Sequence, residues 1–370
     1  VQADSATGVI TTAATETDAA TLVTLTTANT DMITVTMAAA STTAANLNTI
    51  DAATGVAVGA TAITELTGAA ADVKTALGSA GITTVVDSSL AVGLTGSTSV
   101  ADIILVQADS ATGVITTAAT ETDAATLVTL TTANTDMITV TMAAASTDIA
   151  DLNTINLATG VAVDATAVTA ITDTTNVNTI DLTAAGITYH ATNALTITGG
   201  AGDDNITLRA GGADTVVHAG AADGVDTITD FAFGVGADLF DFTTNLLNGG
   251  TAATSTLVAV APMVVVNDGT ASANDVIYTF SGAGDVMAGG SSAATAVANA
   301  VTALTSGTDF SSANIAQSDS LLLMLNDGTN SFLFHYVADA TFGTTSAADL
   351  TLIGIFNGVQ TAAIATGDII

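Results

Sequence analysis

Gly199-Gly200-Ala201-Gly202-Asp203-Asp204-Asn205-Ile206-Thr207, near the middle of the chain, is built like a tight turn leading into a short strand. Glycines at the first, second and fourth places let the backbone enter positive φ and turn sharply. The aspartate at the sixth place offers a hard oxygen ligand, and the apolar residue at the eighth points into a core. That order describes a calcium-holding turn followed by a strand, the unit of a parallel β-roll.

Working outward, the same spacing recurs in weaker form. Arg209 to Val217 keeps Gly212, Asp214 and Val216 at the fourth, sixth and eighth places but lacks the first two glycines, and Gly224, Asp226 and Ile228 fit those three places again. Two acidic-aromatic runs follow: Gly224-Val225-Asp226-Thr227-Ile228-Thr229-Asp230-Phe231 and Gly236-Ala237-Asp238-Leu239-Phe240-Asp241-Phe242-Thr243. In these residues the chain resembles the RTX (repeats-in-toxin) family of secreted proteins, whose GGxGxDxUx turns hold calcium.

The resemblance implies a right-handed parallel β-roll with each ion shared between stacked turns and bound by backbone carbonyls and Asp side chains. By position, the expected Ca2+ ligands are Gly200, Gly202 and Asp204, with Gly212 and Asp214 from the next turn, followed by Asp203, Asp223 and Asp226. The departures at Arg209 and Ala210 predict a few ions rather than a long ladder. Export by a type I secretion system is implied as well, with an uncleaved carboxy-terminal signal at the aliphatic end Gly367-Asp368-Ile369-Ile370.

Composition sets the limits of this reading. Thirty-five acidic residues face only Lys74 and Arg209, a formal charge of −33. Nucleic acid is excluded as a partner, because counterion release needs clusters of Lys and Arg. Anionic membrane surfaces are disfavoured for the same reason. Hydrophobic residues still make up 49% of the chain and mean hydropathy is +0.60, while aromatics are 4%. A thin core of small aliphatic side chains follows, suited to stacked coils. Cysteine is absent, so no disulfide can staple the chain outside the cell, and divalent metal is the available alternative. Unscreened like charges about 4 Å apart repel by roughly 1–4 kcal/mol, so bound cations would also relieve the acidic excess.

No stretch reaches the roughly 18–20 apolar residues of a membrane helix. The nearest, Leu257 to Val266, is short and contains Pro262, the one proline. No basic, then apolar, amino-terminal signal is visible. Membrane insertion is therefore not expected.

A long repeat organises the first half. Val1 to Thr42 recurs without change at Val106 to Thr147, and Ala45-Asn46-Leu47-Asn48-Thr49-Ile50 matches Ala150-Asp151-Leu152-Asn153-Thr154-Ile155. Each copy is too long for one coil and so should contain several. Val1 falls inside a repeat, which predicts a longer array or processing. Alternating runs at Met32–Met37, Gly55–Val58 and Ile82–Val86 read as strands. Between them Ser41 to Ile50 and Ala71 to Leu77, the latter closed by Gly78, have helical spacing. Strand, short helix, strand at this spacing predicts a parallel sheet, with an antiparallel sandwich as the alternative. Turn signals at Asn267-Asp268-Gly269 and Asn326-Asp327-Gly328 predict hairpins further on.

The expected fold is therefore mainly β: a parallel β-solenoid or β-roll with short helices on its sides, followed by a β-rich C-terminal cap. Its parts are a duplicated solenoid over 1–169, an RTX-like calcium roll over 170–243 and a cap carrying the secretion signal over 244–370.

Catalysis is not expected. His190, His218 and His335 are dispersed, and none belongs to an H-E-x-x-H arrangement. Tyr189-His190 and His335-Tyr336 read as strand residues, and no G-x-S-x-G elbow is present. The Asp203-Asp204 pair lies among glycines, a setting for metal rather than acid–base work. Thr24-Leu25-Thr26 and Thr34-Val35-Thr36 read as ordinary strand threonines. The expected function is a secreted calcium-binding structural protein that self-assembles into an S-layer or filament, with copies of itself and cell-surface polysaccharide as partners. The alternatives are the terminal part of an RTX adhesin binding a host surface, carbohydrate or ice, and the non-catalytic tail of a secreted enzyme.

Overall fold

The computed structural model describes residues 8–84, 90–110, 113–234, 237–242, 256–260, 276–280, 287–306, 320–337 and 346–359. These are mostly β, with several parallel sheets and a few short helices. They fall into two compact units: Val1–Ala143, Asp151–Ala165 and Gly186–Thr188 form one, and Ala144–Ala150, Thr166–Ala185 and Tyr189–Ile370 the other.

In the first unit the alternation of the sequence sets the inside and the outside. Ile33, Val35 and Met37 are buried, while Met32, Thr34 and Thr36 between them are exposed, as the period of two in a strand requires. A five-stranded parallel sheet runs in the order Ser41–Thr43, Glu65–Gly68, Ala91–Thr98, Ile115–Ala119, Met137–Thr139. Its register pairs Thr42 with Leu66, Leu66 with Val92 and Val92 with Ile115, so these buried residues form one inward column. Parallel pairing obliges the chain to return to the same end before each new strand. The returns are short: paired strand residues lie 21 apart at Thr11–Met32 and 26 apart at Glu65–Ala91.

Helices lie on the returns. Thr43 caps Ala44–Ala52, its hydroxyl accepting from the Asn46 N–H at 3.2 Å, and the helix buries Ala44, Leu47 and Ile50. Ala70–Gly78 buries Val73 and Ala76 in the same core. The helical span expected from Ser41 starts three residues later, because Ser41–Thr43 is taken by pairing with Glu65–Thr67. The strand expected at Gly55–Val58 lies instead at Val58–Ala60. Gly55 is a corner: its N–H donates to Asp31 O at 2.7 Å, and a Cβ there would collide with Asn29 O. Ile82–Thr84 is a strand as expected, and Val85 and Val86 lie outside the described residues.

A buried threonine finishes the ladder beside each such corner. The Thr54 hydroxyl accepts from Ile33 N at 3.1 Å and faces Ile33 O at 2.7 Å. Thr159 repeats this with Ile138 at 3.2 and 2.7 Å.

The second unit carries two larger sheets. One is parallel throughout, in the order Ser146–Asp148, Ala170–Thr172, Thr196–Thr198, Thr215–His218, Leu239–Phe242. The other begins with Thr179–Asp181, Asn205–Thr207 and Asp226–Thr229 in parallel. It continues through Leu350–Asn357, parallel to Asp226–Thr229 with Phe356 opposite Ile228. Ser331–Val337 and Ser320–Asn326 then follow antiparallel. Val276–Phe280 and Thr256–Val260 complete it, again in parallel.

The Asn326-Asp327-Gly328 hairpin forms as its sequence predicts. Asp327 Oδ1 accepts from Thr329 N and Asn330 N, and Gly328 takes φ +86°. The turn expected at Asn267-Asp268-Gly269 lies outside the described residues. Helix Ala293–Ser306 packs Ala296, Ala300, Ala303 and Leu304 against Leu323, Phe332, Phe334 and Tyr336. Phe231, Phe233, Phe240 and Phe356 cluster with ring centroids 4.7–5.5 Å apart. Among the described residues no helix is long and apolar enough to cross a membrane.

Candidate metal centre

Aspartates stand immediately before the strands, and most are used in one way: each accepts the N–H of its counterpart one turn of the chain earlier. Asp31 takes Ile10 N at 2.8 Å, Asp136 takes Ile115 N at 2.8 Å, Asp214 takes Leu195 N at 2.8 Å and Asp238 takes Asp214 N at 2.9 Å. Asp226 takes Asp204 N at 3.1 Å. Several accept a second N–H from their own turn, as Asp31 does from Ala28 and Asp136 from Ala133. These bonds hold the Asp31 carboxyl below its ordinary range, Ile10 contributing most.

Asp204 breaks the pattern. It stands in register between Asn178 and Asp226, because Asn205 pairs with Thr179 on one side and Thr227 on the other. Its residue is 1% exposed, yet neither Oδ1 nor Oδ2 has a hydrogen-bond partner. The cause is one turn earlier. Asn178 sits at φ +57°, and its N–H turns back to Asp173 Oδ2 at 2.7 Å instead of forward to Asp204. Asn tolerates this left-handed conformation better than other residues with a Cβ.

The groups around Asp204 are oxygen-rich. Gly200 and Gly202 take φ +93° and +107°. A Cβ at Gly199 would collide with Asp204 Oδ2, and one at Gly200 would collide with the Asp173 carbonyl and itself lie 3.5 Å from Asn176 Oδ1. Asp173, Asp223 and Asp226 are buried, whereas Asp203 is exposed and accepts from Val225 N at 2.8 Å. Burial, with repulsion from Asp226, Asp173, Asp223 and Asp203, pushes the Asp204 carboxyl up to about 7. Asp226 is also raised, mainly by burial, and lies 3.8 Å from His218 Nδ1.

Gly212 and Asp214 belong to the other column, in line with Leu195 and Asp238. There the guanidinium of Arg209 lies against the carboxylate. Its Nη2 donates to the Asn193 carbonyl and lies 3.3 Å from Asp214 Oδ1, with the ring centroid of Tyr189 6.0 Å from the guanidinium carbon. Asp214 is fully buried. The structure thus gathers Gly200, Gly202, Asp203, Asp204, Asp223 and Asp226 in one neighbourhood and sets Gly212 and Asp214 apart beside Arg209.

Sequence reasoning missed Asp173, Asn176 and Asn178. The signal was present in Asp173-Thr174-Thr175-Asn176-Val177-Asn178, an Asx-rich turn that leads into Thr179-Ile180 as the nonapeptide leads into Asn205-Ile206. The histidines occupy separate elements. His218 is buried, His335 lies within Ser331–Val337, and His190 follows Ile187–Tyr189 as a turn residue. His190 Nδ1 accepts from Thr192 N and Asn193 N, both at 3.2 Å, so it closes that turn rather than extending the strand.

Among the described residues, no group of three or more His, Asp or Glu side chains is placed to hold an ion by itself. Any cation at Asp204 therefore draws part of its shell from backbone carbonyls or Asn side chains. Oxygen-only shells of this mixed kind suit hard cations. No family model, curated protein or solved structure matches the chain.

Proposed function

We propose that this chain is a calcium-stabilised β-solenoid scaffold of the RTX type, exported from the cell and assembled with copies of itself into a surface layer or filament. The observation that carries the calcium reading is Asp204, a buried carboxylate with both oxygens unpartnered among facing glycines. An isolated buried charge is costly, and a hard cation offsets that cost while accepting carbonyl oxygens as further ligands. On this reading Asp204 would be joined by the Asp173 carbonyl and Asn176 Oδ1, both of which lie beside Gly200. Asp203, Asp223 and Asp226 supply surrounding negative charge.

The solenoid reading is supported by parallel strand pairs whose register partners lie 19 residues apart at Thr196–Thr215 and 26 apart at Glu65–Ala91. The scaffold reading is supported by the unchanged repeat and by a charge of −33, which lets acidic faces meet only through cations. An acidic chain that folds where calcium is plentiful stays unfolded before export, since an ion that binds only the folded state adds its binding energy to stability. Extracellular calcium modules bind at ~10⁻⁴ to 10⁻³ M, which matches such a switch.

Circular dichroism melts and electron microscopy of the full chain, with millimolar calcium or with a chelator, test this. Cooperative melting that rises with calcium, with ordered assemblies dispersed by chelation, is the expected result. Identical melts and images in both conditions would remove calcium from the account.

A further inference from the structure

A cavity of about 710 Å³ opens in the second unit beside the turn that carries Arg209. That size falls in the range of roughly 300–1,000 Å³ usual for small-ligand sites. Leu208, Phe231 and Val359 give it an apolar lining, and Arg209, Asp230 and Asp238 give it charge. Leu208 and Phe231 are buried, whereas Asp230, held at φ +61°, is exposed.

Arg209 is the one arginine of the chain, and its guanidinium is only partly used. Nη2 serves both the Asn193 carbonyl and Asp214 Oδ1. Nε and Nη1 have no hydrogen-bond partner, although the side chain is only 9% exposed. A buried N–H without an acceptor is costly, and pairing with Asp214 occupies Nη2 alone. The carboxylate of Asp238 is already engaged, Oδ1 accepting from Asp214 N at 2.9 Å and Oδ2 from Ala232 N at 2.8 Å.

Charge selects what can meet the two bare nitrogens. Asp214, Asp230 and Asp238 outnumber the one guanidinium, so an anion is repelled on balance. A cation suits the carboxylates but offers no acceptor to an N–H. A neutral hydroxyl compound fits both demands. Each hydroxyl accepts from a guanidinium N–H through its oxygen and donates to a carboxylate through its hydrogen. The carbon-bound hydrogens of a sugar ring suit the apolar lining.

We propose that this cavity binds a neutral saccharide, with Arg209 donating from Nε or Nη1 to its oxygens and Asp230 accepting from one of its hydroxyls. The inference uses neither Asp204 nor its ion, so it can fail while the calcium reading holds.

The full chain is kept in millimolar calcium for the test. Because Arg209 stands alone, a single arginine Nε–H signal in the NMR spectrum of labelled protein reports on the cavity. D-glucose, D-galactose, D-mannose and N-acetyl-D-glucosamine are titrated in turn. A saturable displacement of that signal by at least one of them, at millimolar concentration, is the expected result. No displacement by any of the four overturns the proposal. Displacement by acetate or sulfate alone would make the cavity an anion site and overturn it as well. A signal that moves with calcium but not with sugar would make it a cation site, with the same consequence.

Two variants place the contact. Thr183 lines the cavity and is exposed, so Thr183→Trp should fill the space, abolish the displacement and leave melting unchanged. Asp230→Asn keeps a residue type that tolerates φ +61° and removes the charged acceptor. It should weaken sugar binding by about tenfold. Parental affinity in either variant overturns the assignment.

Discussion

The N–H of Asp204 donates to Oδ1 of Asp226 at 3.1 Å and its carbonyl accepts from Thr227 N at 2.7 Å, yet nothing donates to the Asp204 carboxylate. Asp31, Asp136, Asp214 and Asp238 occupy the corresponding place before their strands and each accept at least one backbone N–H. Asp204 therefore has a stacking role through its backbone while its carboxylate is left for something else. Of these five strand-leading aspartates, Asp204 alone has a carboxylate with no donor.

Asp204→Asn removes the buried charge and keeps the shape. In chelator at pH 8 the variant should be more stable than the parent by about 1–4 kcal/mol, since the parent must hold an uncompensated carboxylate. Calcium should then add nothing to its melting temperature. Paired thermal melts with and without calcium measure both effects, and a variant that still gains from calcium would place the ion elsewhere.

The pH profile of the ion-free chain should run against the usual carboxylate trend. Asp204 is raised to about 7 when folded, from an ordinary value of 3.8. Between those values the folded state holds a proton that the unfolded state has released, so stability falls as pH rises through that window. Above about 7 the full penalty is present; below about 4 it vanishes. Calcium competes with that proton, so its affinity should climb with pH until the carboxyl is ionised, levelling off above about 7. Calcium titrations at pH 5, 6, 7 and 8 test the slope, and Asp204→Asn should flatten it.

Arg209→Gln should destabilise the chain by about 3–5 kcal/mol, because it strips a fully buried Asp214 of its cation. Arg209→Lys should recover part of the loss, since both contacts run through the one nitrogen Nη2, which an ammonium can replace while losing the planar face beside Tyr189. Urea melts in chelator isolate this from any ion at Asp204.

Thr54→Val keeps the volume of a buried side chain and deletes the hydroxyl that serves Ile33. The orphaned N–H predicts a loss of about 1–3 kcal/mol, and Thr159→Val should match it at Ile138. The double variant should show the sum, since the two sites share no partners. A double variant no worse than either single would mean that the hydroxyls are not structural.

Much of the local structure was legible in residue types. Ile33, Val35 and Met37 alternate with exposed neighbours as written, and Asn326-Asp327-Gly328 makes its hairpin. Asp204 stood out from its glycines alone. What was not legible depended on which turns stack. The nonapeptide suggested Asp214 as the neighbour of Asp204, whereas the register brings Asp226 to it and sends Asp214 to Arg209. Turns of unequal length alternate between two sheets, and sequence spacing does not say which sheet a turn feeds. The bare carboxylate was likewise hidden, because it follows from the left-handed backbone of Asn178, one strand away in space.

The short returns between strands also set an order of events. Bonds such as Leu195–Asp214 close over 19 residues and Thr27–Ala53 over 26, but Asn357 reaches Thr229 across 128. Closing the longer loop costs about 1.5 kcal/mol more in chain entropy, and it has no surface to land on until Asp226–Thr229 exists. Turns can therefore wind up one after another as soon as the chain is free, while Leu350–Asn357, the last of the described strands, arrives when the rest is standing. A chain emerging amino end first would finish its stack before the strand that seals it appears.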